Sequence, residues 1–597
     1  MRILQKAKKY SVQIIIIVMI VFIQCAFVSQ KEGYHMDELL SFELANAEYN
    51  PWIVPTQPVG RLAKFMHEEI DGETFGETLG NLKDTVVDVL KNRGNSKLLS
   101  YKADVYEEPV WISEEQFEDY VTTGEGDRFN YLSVYFNVKD DNHPPVHFML
   151  LHTISSFFPG KAAPMMGCVI NIAVLVGCAI LLMKLGASLD SWGITRSGFG
   201  KHFGMIAALM YGCSQAGTAT VLLIRMYGVL TFLCMLTFYL HLKKWQENSF
   251  DKKNVMLIVV TVLGFLTQYF FLFYCLVLAA VAAVCLFVYG RKKELWVYIR
   301  SMVIAAVIGV GIYPFAISDV FASSRGVEAL GNLAGGLADY LIRIGNFGEI
   351  LLNRCFGNVW LGLVCLAAVL IMGAWIFWKK KVYRAQLAMF CVPVLGYFLL
   401  AAKMSPMYVD RYLMASFPFV IAGLALGLCL AVESIKEKIA EKSAIKSSDA
   451  LITGSCGRKV NSTQIGGIGL SVIVLLFCSW HVLTYDGTYL YRGYEEQLQA
   501  AEEYSELPCI CLYEGSGYYD NLLEFAEYEK TLLVTPEELL HRSDASDIEQ
   551  LQEVIIIVKN IVPDESVQEI LDKYELRIDK VLIEDGACGD TVYLCVR

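Results

Sequence analysis

No Cys-x-x-Cys pair and no zinc-like Cys/His spacing occurs among the 17 cysteines of this sequence, which excludes a structural zinc domain. Thirteen of them precede residue 500, mostly inside apolar runs, where a thiol behaves as a small hydrophobe. Cys509, Cys511, Cys588 and Cys595 lie in the C-terminal tail, and their spacing leaves a disulfide open. There is no Gly-x-Gly-x-x-Gly, so nucleotide binding is not indicated. Nor does an Ala-x-Ala-like cleavage site follow the N-terminal apolar stretch, which favours an uncleaved first span over a signal peptide. Nothing points to nucleic acid.

What the chain has in excess is apolar content: 55% hydrophobic residues and a mean hydropathy of +0.43 over 597 residues. About 20 residues of helix cross a bilayer core, so repeated apolar runs of that length specify a polytopic α-helical membrane protein. The runs fall near 11–29, 165–183, 203–222, 226–242, 255–270, 272–290, 299–316, 356–378, 385–402, 412–432 and 467–484, giving about 11 spans. With the N-terminus inside, the loops 184–201, 243–254, 291–296 and 379–384 and the segment 434–460 are cytoplasmic, and each is basic, as the positive-inside rule requires. The piece "HPPVHFMLLHTISSFF" (143–158) is too short to span and reads as a re-entrant or interfacial helix, its prolines in the first turn where no N–H is needed.

This reading expects a transmembrane catalytic module over 1–484, with a first outer loop at 30–142 and a second at 317–352. Residues 485–597 form a small extracytoplasmic α/β domain. Its strand-like runs at 509–513, 531–535, 554–558, 580–584 and 591–596 alternate with helical stretches at 535–552 and 564–575.

Charged and polar residues gather at the outer ends of the spans. Asp37 and Glu38 follow the first span, and His143 opens the short helix. Arg225 and Tyr227 lie in "LLIRMYGV", Gln268 and Tyr269 in "LTQYFFLF", and Lys403, Asp410, Arg411 and Tyr412 in "AAKMSPMYVDRYLMASFP". Arg343 and Arg354 flank the second outer loop. Ionisable groups at membrane depth are costly and mark functional cavities. Carboxylates suit general-base work or metal binding, while Arg and Lys suit a phosphate-bearing ligand. Each also has a plain alternative: a dipole-favoured first turn for Asp37–Glu38, snorkelling for Arg225, interfacial anchoring for Gln268–Tyr269.

The order of these pieces resembles the GT-C superfamily of membrane glycosyltransferases, in particular the protein O-mannosyltransferase-like branch (glycosyltransferase family 39 and related bacterial transferases). Its acidic pair after the first span corresponds to "HMDELLSFELAN", and its His-Pro-Pro helix opening to "NHPPVHFMLLH". "LLIRMYGVL", "LTQYFFLF" and "DRYLMASFP" stand where that branch carries its Arg-x-Tyr, His-Tyr and Arg-Tyr motifs. Two departures stand out: Leu223 where the pattern has Glu, and Gln268 where it has His. The resemblance covers about residues 10–432, and the C-terminal domain lies outside it.

The resemblance implies inverting transfer of a sugar from a polyprenyl-phosphate-linked donor to an extracytoplasmic glycan, lipid or protein acceptor. Asp37 would be the general base, with Glu38 its catalytic neighbour. His143, Arg225, Tyr227, Gln268, Tyr269, Lys403, Arg411 and Tyr412 would bind donor and phosphate. A divalent metal is not required, and the metal stays unknown. The setting implied is a bacterial plasma membrane. The competing readings are a transporter or flippase of lipid-linked glycans, against which the lack of internal repeats counts, and an inactive GT-C-like scaffold.

Overall fold

The structure, a computed structural model, describes residues 10–196, 198–453 and 462–597. Residues 1–9 of the basic N-terminus and 454–460 of the basic segment lie outside the described residues. The chain divides into two compact units. A membrane unit comprises Met1–Val28, Asn142–Val146 and Cys168–Thr488, and a loop-and-tail unit comprises Ser29–Asp141, His147–Gly167 and Tyr489–Arg597.

Every apolar run becomes helical. Among the described residues, seven helices are long and apolar enough to cross a membrane: Ser11–Val28, Pro164–Ser191, Phe270–Val288, Lys292–Ile312, Val359–Lys379, Lys381–Met404 and Asp410–Ile435. Phe199–Gly212 and Gln215–Leu222 form a pair bent by 56°, an eighth span if counted as one. The bend has a local cause: Ser214 caps the second helix by accepting from Gly217 N, a competing bond that ends the first. Val255–Phe265 is shorter, and Val146–Ser155, at 10 residues, reaches only about 15 Å. The latter is the short His-Pro-Pro helix, and it does not reach across a bilayer.

The tail folds around a six-stranded sheet of order β1-β3-β2-β4-β6-β5. The strands are β1 (Trp111–Ser113), β2 (Cys509–Leu512), β3 (Lys530–Val534), β4 (Glu553–Lys559), β5 (Arg577–Ile583) and β6 (Asp590–Val596). β2 pairs in parallel with β3 and β4, the other pairs are antiparallel, and β2 is buried along its whole length, as a central parallel strand must be. Ile510, Leu532 and Ile556 pack against Val567, Ile570 and Tyr574, on and just after the Asp564–Lys573 helix. The sheet recruits β1 from the first loop, with Trp111 opposite Leu532 and Ser113 opposite Lys530. The single helix expected over 535–552 is instead two short ones, Pro536–Leu540 and Ser546–Glu549. Asp544 interrupts it, accepting from both the N–H and the hydroxyl of Ser546. Cys509, Cys511, Cys588 and Cys595 are free thiols.

Candidate functional site

The acidic pair lies in the first turn of the Met36–Asn46 helix. His35 is its N-cap: Nδ1 accepts from Asp37 N at 3.0 Å, and Glu38 Oε2 accepts from His35 N at 2.8 Å, a capping box with histidine in the Ser/Thr place. Glu38 also accepts from Lys31 Nζ at 2.9 Å, and both side chains are fully buried. Lys31 donates a second bond to Tyr489 O at 2.7 Å and lies 4.8 Å from the Tyr491 ring. The two carboxylates therefore differ in kind. Glu38 is enclosed by a lysine and a backbone N–H, while Asp37 keeps 19% of its side chain exposed. Asp37 Oδ2 comes within 3.5 Å of His35 Nδ1, but that nitrogen is already an acceptor, so the contact is not an ion pair in this tautomer. Asp520, in the helical turn Gly517–Asn521 after β2, has its carboxyl raised above the usual range, chiefly by burial and also by the negative charges of Asp590 and Asp37, against the opposing charges of Lys559 and His35.

In the membrane unit the expected residues sit at helix junctions. Arg225 and Tyr227 are buried at the start of Tyr227–Gln246, after a tight turn in which Arg225 N donates to Leu223 O. That junction is held by Asn171 of the second span, whose Nδ2 donates to Val221 O (3.2 Å) and Leu223 O (2.7 Å). Tyr412 meets the Tyr227 ring edge-on at 6.1 Å and Phe270 at 5.2 Å, and the Arg411 guanidinium lies 5.5 Å from the Tyr412 ring. These residues form one aromatic and cationic cluster. Gln268 accepts from Tyr269 N at 2.6 Å, and the Tyr269 hydroxyl donates to Asp319 at 2.5 Å. Lys403 Nζ donates to Gly335 O at 2.7 Å, 5.0 Å from the Tyr340 ring. His143 is half-buried in the Asn142–Val146 segment, where Val146 N donates to Leu266 O.

Arg343 and Arg354 have structural work. Arg343 donates to Ala402 O and Ser405 O, and Arg354 bridges Asp410 (2.7 Å) and Asp486 (2.9 Å). Sequence reasoning missed Lys31, Asn171 and Asp319. A lone lysine after a span, an asparagine inside one and an aspartate in a loop are each too common to signal a contact.

Two groups among the described residues bring three ligand-type atoms together. His67 lies 3.2 Å from both Glu48 and Asp71, and burial with nearby Asp127 pushes Glu48 up to about 8. In the other, Glu524, Cys588 and Asp590, the cationic place is taken by Lys559, 3.6 Å from Asp590. A cavity of about 790 Å³ in the membrane unit is mainly apolar, with Arg196, His202 and Glu433 among its lining.

No protein-family model matches the chain, and no curated protein does. Among solved structures, it is similar to ArnT from Cupriavidus metallidurans bound to undecaprenyl phosphate, with TM-score 0.45 and 11% identity over 76% of this chain and 88% of that one. The apo state of ArnT gives 0.44 and 12% over 82% and 94%. The Archaeoglobus fulgidus oligosaccharyltransferase, in complex with zinc and sulfate, gives 0.36 and 12% over 70% and 59%. The likeness is one of chain path and assigns no residue.

Proposed function

We propose that this integral membrane protein is a GT-C-type glycosyltransferase that moves a sugar from a polyprenyl-phosphate-linked donor to an extracytoplasmic acceptor with inversion. The observation that carries the reading is the division of labour in the acidic pair. Glu38 is consumed by Lys31 and the His35 N–H, and this leaves Asp37 as the partly exposed carboxylate at a helix N-terminus. The order of the sequence motifs supports it.

Asp37 accepts the proton of the acceptor hydroxyl as its oxygen attacks the anomeric carbon. The carbon–oxygen bond to phosphate breaks on the opposite face, and the lipid phosphate leaves with the bonding electrons. Arg225, Lys403 and Arg411 hold that phosphate and offset the charge it gains, with His143, Tyr227, Gln268, Tyr269 and Tyr412 shaping the donor pocket. Glu38 acts by fixing the helix start. The N-terminus is cytoplasmic, and residues 485–597 and the first loop are outside, in a bacterial plasma membrane.

The test is turnover of a panel of radiolabelled polyprenyl-phosphate sugars by purified protein in lipid. Asp37→Asn is expected to lower donor consumption by about 10²–10⁴-fold, the usual worth of a positioned base, with donor binding retained. Equal turnover in wild type and Asp37→Asn would sink the assignment.

A further inference from the structure

The helix Phe199–Gly212 is locked along one face. Gly200 and Gly204 bring it backbone to backbone against Pro164–Ser191: a Cβ at Gly186 would collide with Gly200 O, and one at Gly204 would meet Leu182 O at 2.6 Å. Small residues at this spacing are how membrane helices approach closely. The turn before the helix is fixed as well. The Asp190 carboxylate accepts from the Thr195 hydroxyl (2.6 Å) and from the N–H groups of Gly198 (3.1 Å), Gly200 (2.8 Å) and Lys201 (3.0 Å). The segment that carries Arg196, Lys201 and His202 is therefore built into the fold. The opposite face of the helix, with Phe199, His202, Ile206 and Leu209 at helical spacing, is turned to the cavity of about 790 Å³. The helices Phe417–Thr453 and Ser462–Leu483 pack on it and on each other, and make the other walls.

The cavity has two ends of different chemistry. Arg196, His202 and Glu433 stand at one end, where Arg196 and His202 are exposed. Leu209 and Val474 lie at the other, in apolar surroundings. Leu475 in the wall is 59% exposed, so the slot is open sideways, towards the bilayer. Next to the polar end the sequence is basic: residues 434–460 hold six Lys and Arg against three acidic residues. A basic cluster beside a spanning helix attracts anionic lipid headgroups, and an apolar slot of this size between helices takes an acyl chain. From Phe417, just after Arg411 and Tyr412, the helix climbs about 24 Å to Glu433. The polar end thus lies near the membrane face opposite Arg411 and Tyr412, and is separate from the residues given to the donor.

We propose that this cavity binds one anionic phospholipid, with an acyl chain in the slot among Ile206, Leu209 and Val474 and the phosphate at Arg196 and His202, Lys201 beside them. Glu433 at the same end selects a headgroup that also donates, as a glycerol hydroxyl does. With the N-terminus cytoplasmic, as read above, the lipid comes from the inner leaflet; its binding depends neither on that orientation nor on transferase activity. The lipid ties the bent pair Phe199–Gly212 and Gln215–Leu222 to the two helices that precede the tail.

The experiment uses the full chain, purified in detergent and stripped of lipid. The probes are dioleoyl-phosphatidylglycerol, dioleoyl-phosphatidylcholine, dioleoylglycerol and inorganic phosphate. Binding is read by native mass spectrometry and folding by the apparent Tm. One phosphatidylglycerol per chain is expected, held about tenfold more tightly than phosphatidylcholine. Arg196→Gln with Lys201→Gln should erase that preference and leave phosphatidylcholine affinity within about threefold. Ile206→Trp, which fills the slot, should weaken both lipids about tenfold or more; Ser471→Leu, on another wall, does the same should the tryptophan prevent folding. Equal affinity for phosphatidylglycerol, phosphatidylcholine and dioleoylglycerol would overturn the headgroup site. Phosphate bound as well as phosphatidylglycerol would show a free-anion site in place of a lipid site. Wild-type retention of phosphatidylglycerol by folded Ile206→Trp and Ser471→Leu would put the lipid elsewhere and overturn the assignment to this cavity.

Discussion

At the residue scale, the pair Lys31–Glu38 shows how a buried charge is tolerated. Each ion is fully enclosed, and the lysine spends a further donor on Tyr489 O. Removing one partner strands the other charge, at a cost of about 3–5 kcal/mol. Lys31→Ala should therefore lower the apparent Tm and turnover together, and Lys31→Met with Glu38→Leu should recover much of the Tm, as read by a thermal melt of the reconstituted protein. Glu43, one turn beyond the pair, is a different case. Both its carboxylate oxygens are buried without a hydrogen-bond partner, and burial, with Asp141 adding to it, holds its acid form well above the usual carboxylate range. A raised folded pKa gives full stability below the unfolded value of 4.5, and loses it as pH rises towards the folded pKa. The melt should fall as pH rises above 4.5, and Glu43→Gln, which cannot ionise, should flatten that decline by about 3 °C or more. A Glu43→Gln profile as steep as wild type would refute this.

At the scale of elements, the sequence was readable where one signal dominates. Apolar runs announced the helices, and short β-branched runs such as "VIIIV" announced the strands, because burial alone decides both. Two features were not readable. The helix break at Asp544 depends on one side chain competing with the backbone. The strand β1 has three residues in an otherwise helical and irregular loop, and only its partner β3, more than 400 positions away, makes it a strand. The same limit applies to the site: Asp37 and Arg225 stood out by type and place, whereas Lys31 and Asn171 are recognisable only from what they touch. β1 is also testable. Ile112 is fully buried and pairs with Thr531, so Ile112→Pro should detach the edge strand, seen as faster proteolysis near residue 111 and a lower Tm.

At the scale of the molecule, the loop-and-tail unit is assembled from three stretches that the chain leaves and re-enters: Ser29–Asp141, His147–Gly167 and Tyr489–Arg597. The last of these supplies five of the six strands and the Tyr489 carbonyl that accepts from Lys31. Deleting residues after Thr488 is thus not the removal of an appendage. It should abolish donor turnover and expose residues 100–120 to protease even though Asp37 remains in the chain. Full turnover by that truncation would show that the tail is dispensable.

The edge strand has a further consequence, for biosynthesis. Trp111, which donates to Asp547, precedes it by 436 residues. At the usual 5–20 residues per second, the ribosome needs roughly 20–90 s to span that interval. For all that time the β1 segment has no partner strand, and Lys31 lacks the Tyr489 carbonyl that accepts from it. The sheet therefore cannot close in the order in which the chain is made: β1 waits for β3, and Lys31 waits for the Tyr489 carbonyl, both hundreds of residues further along.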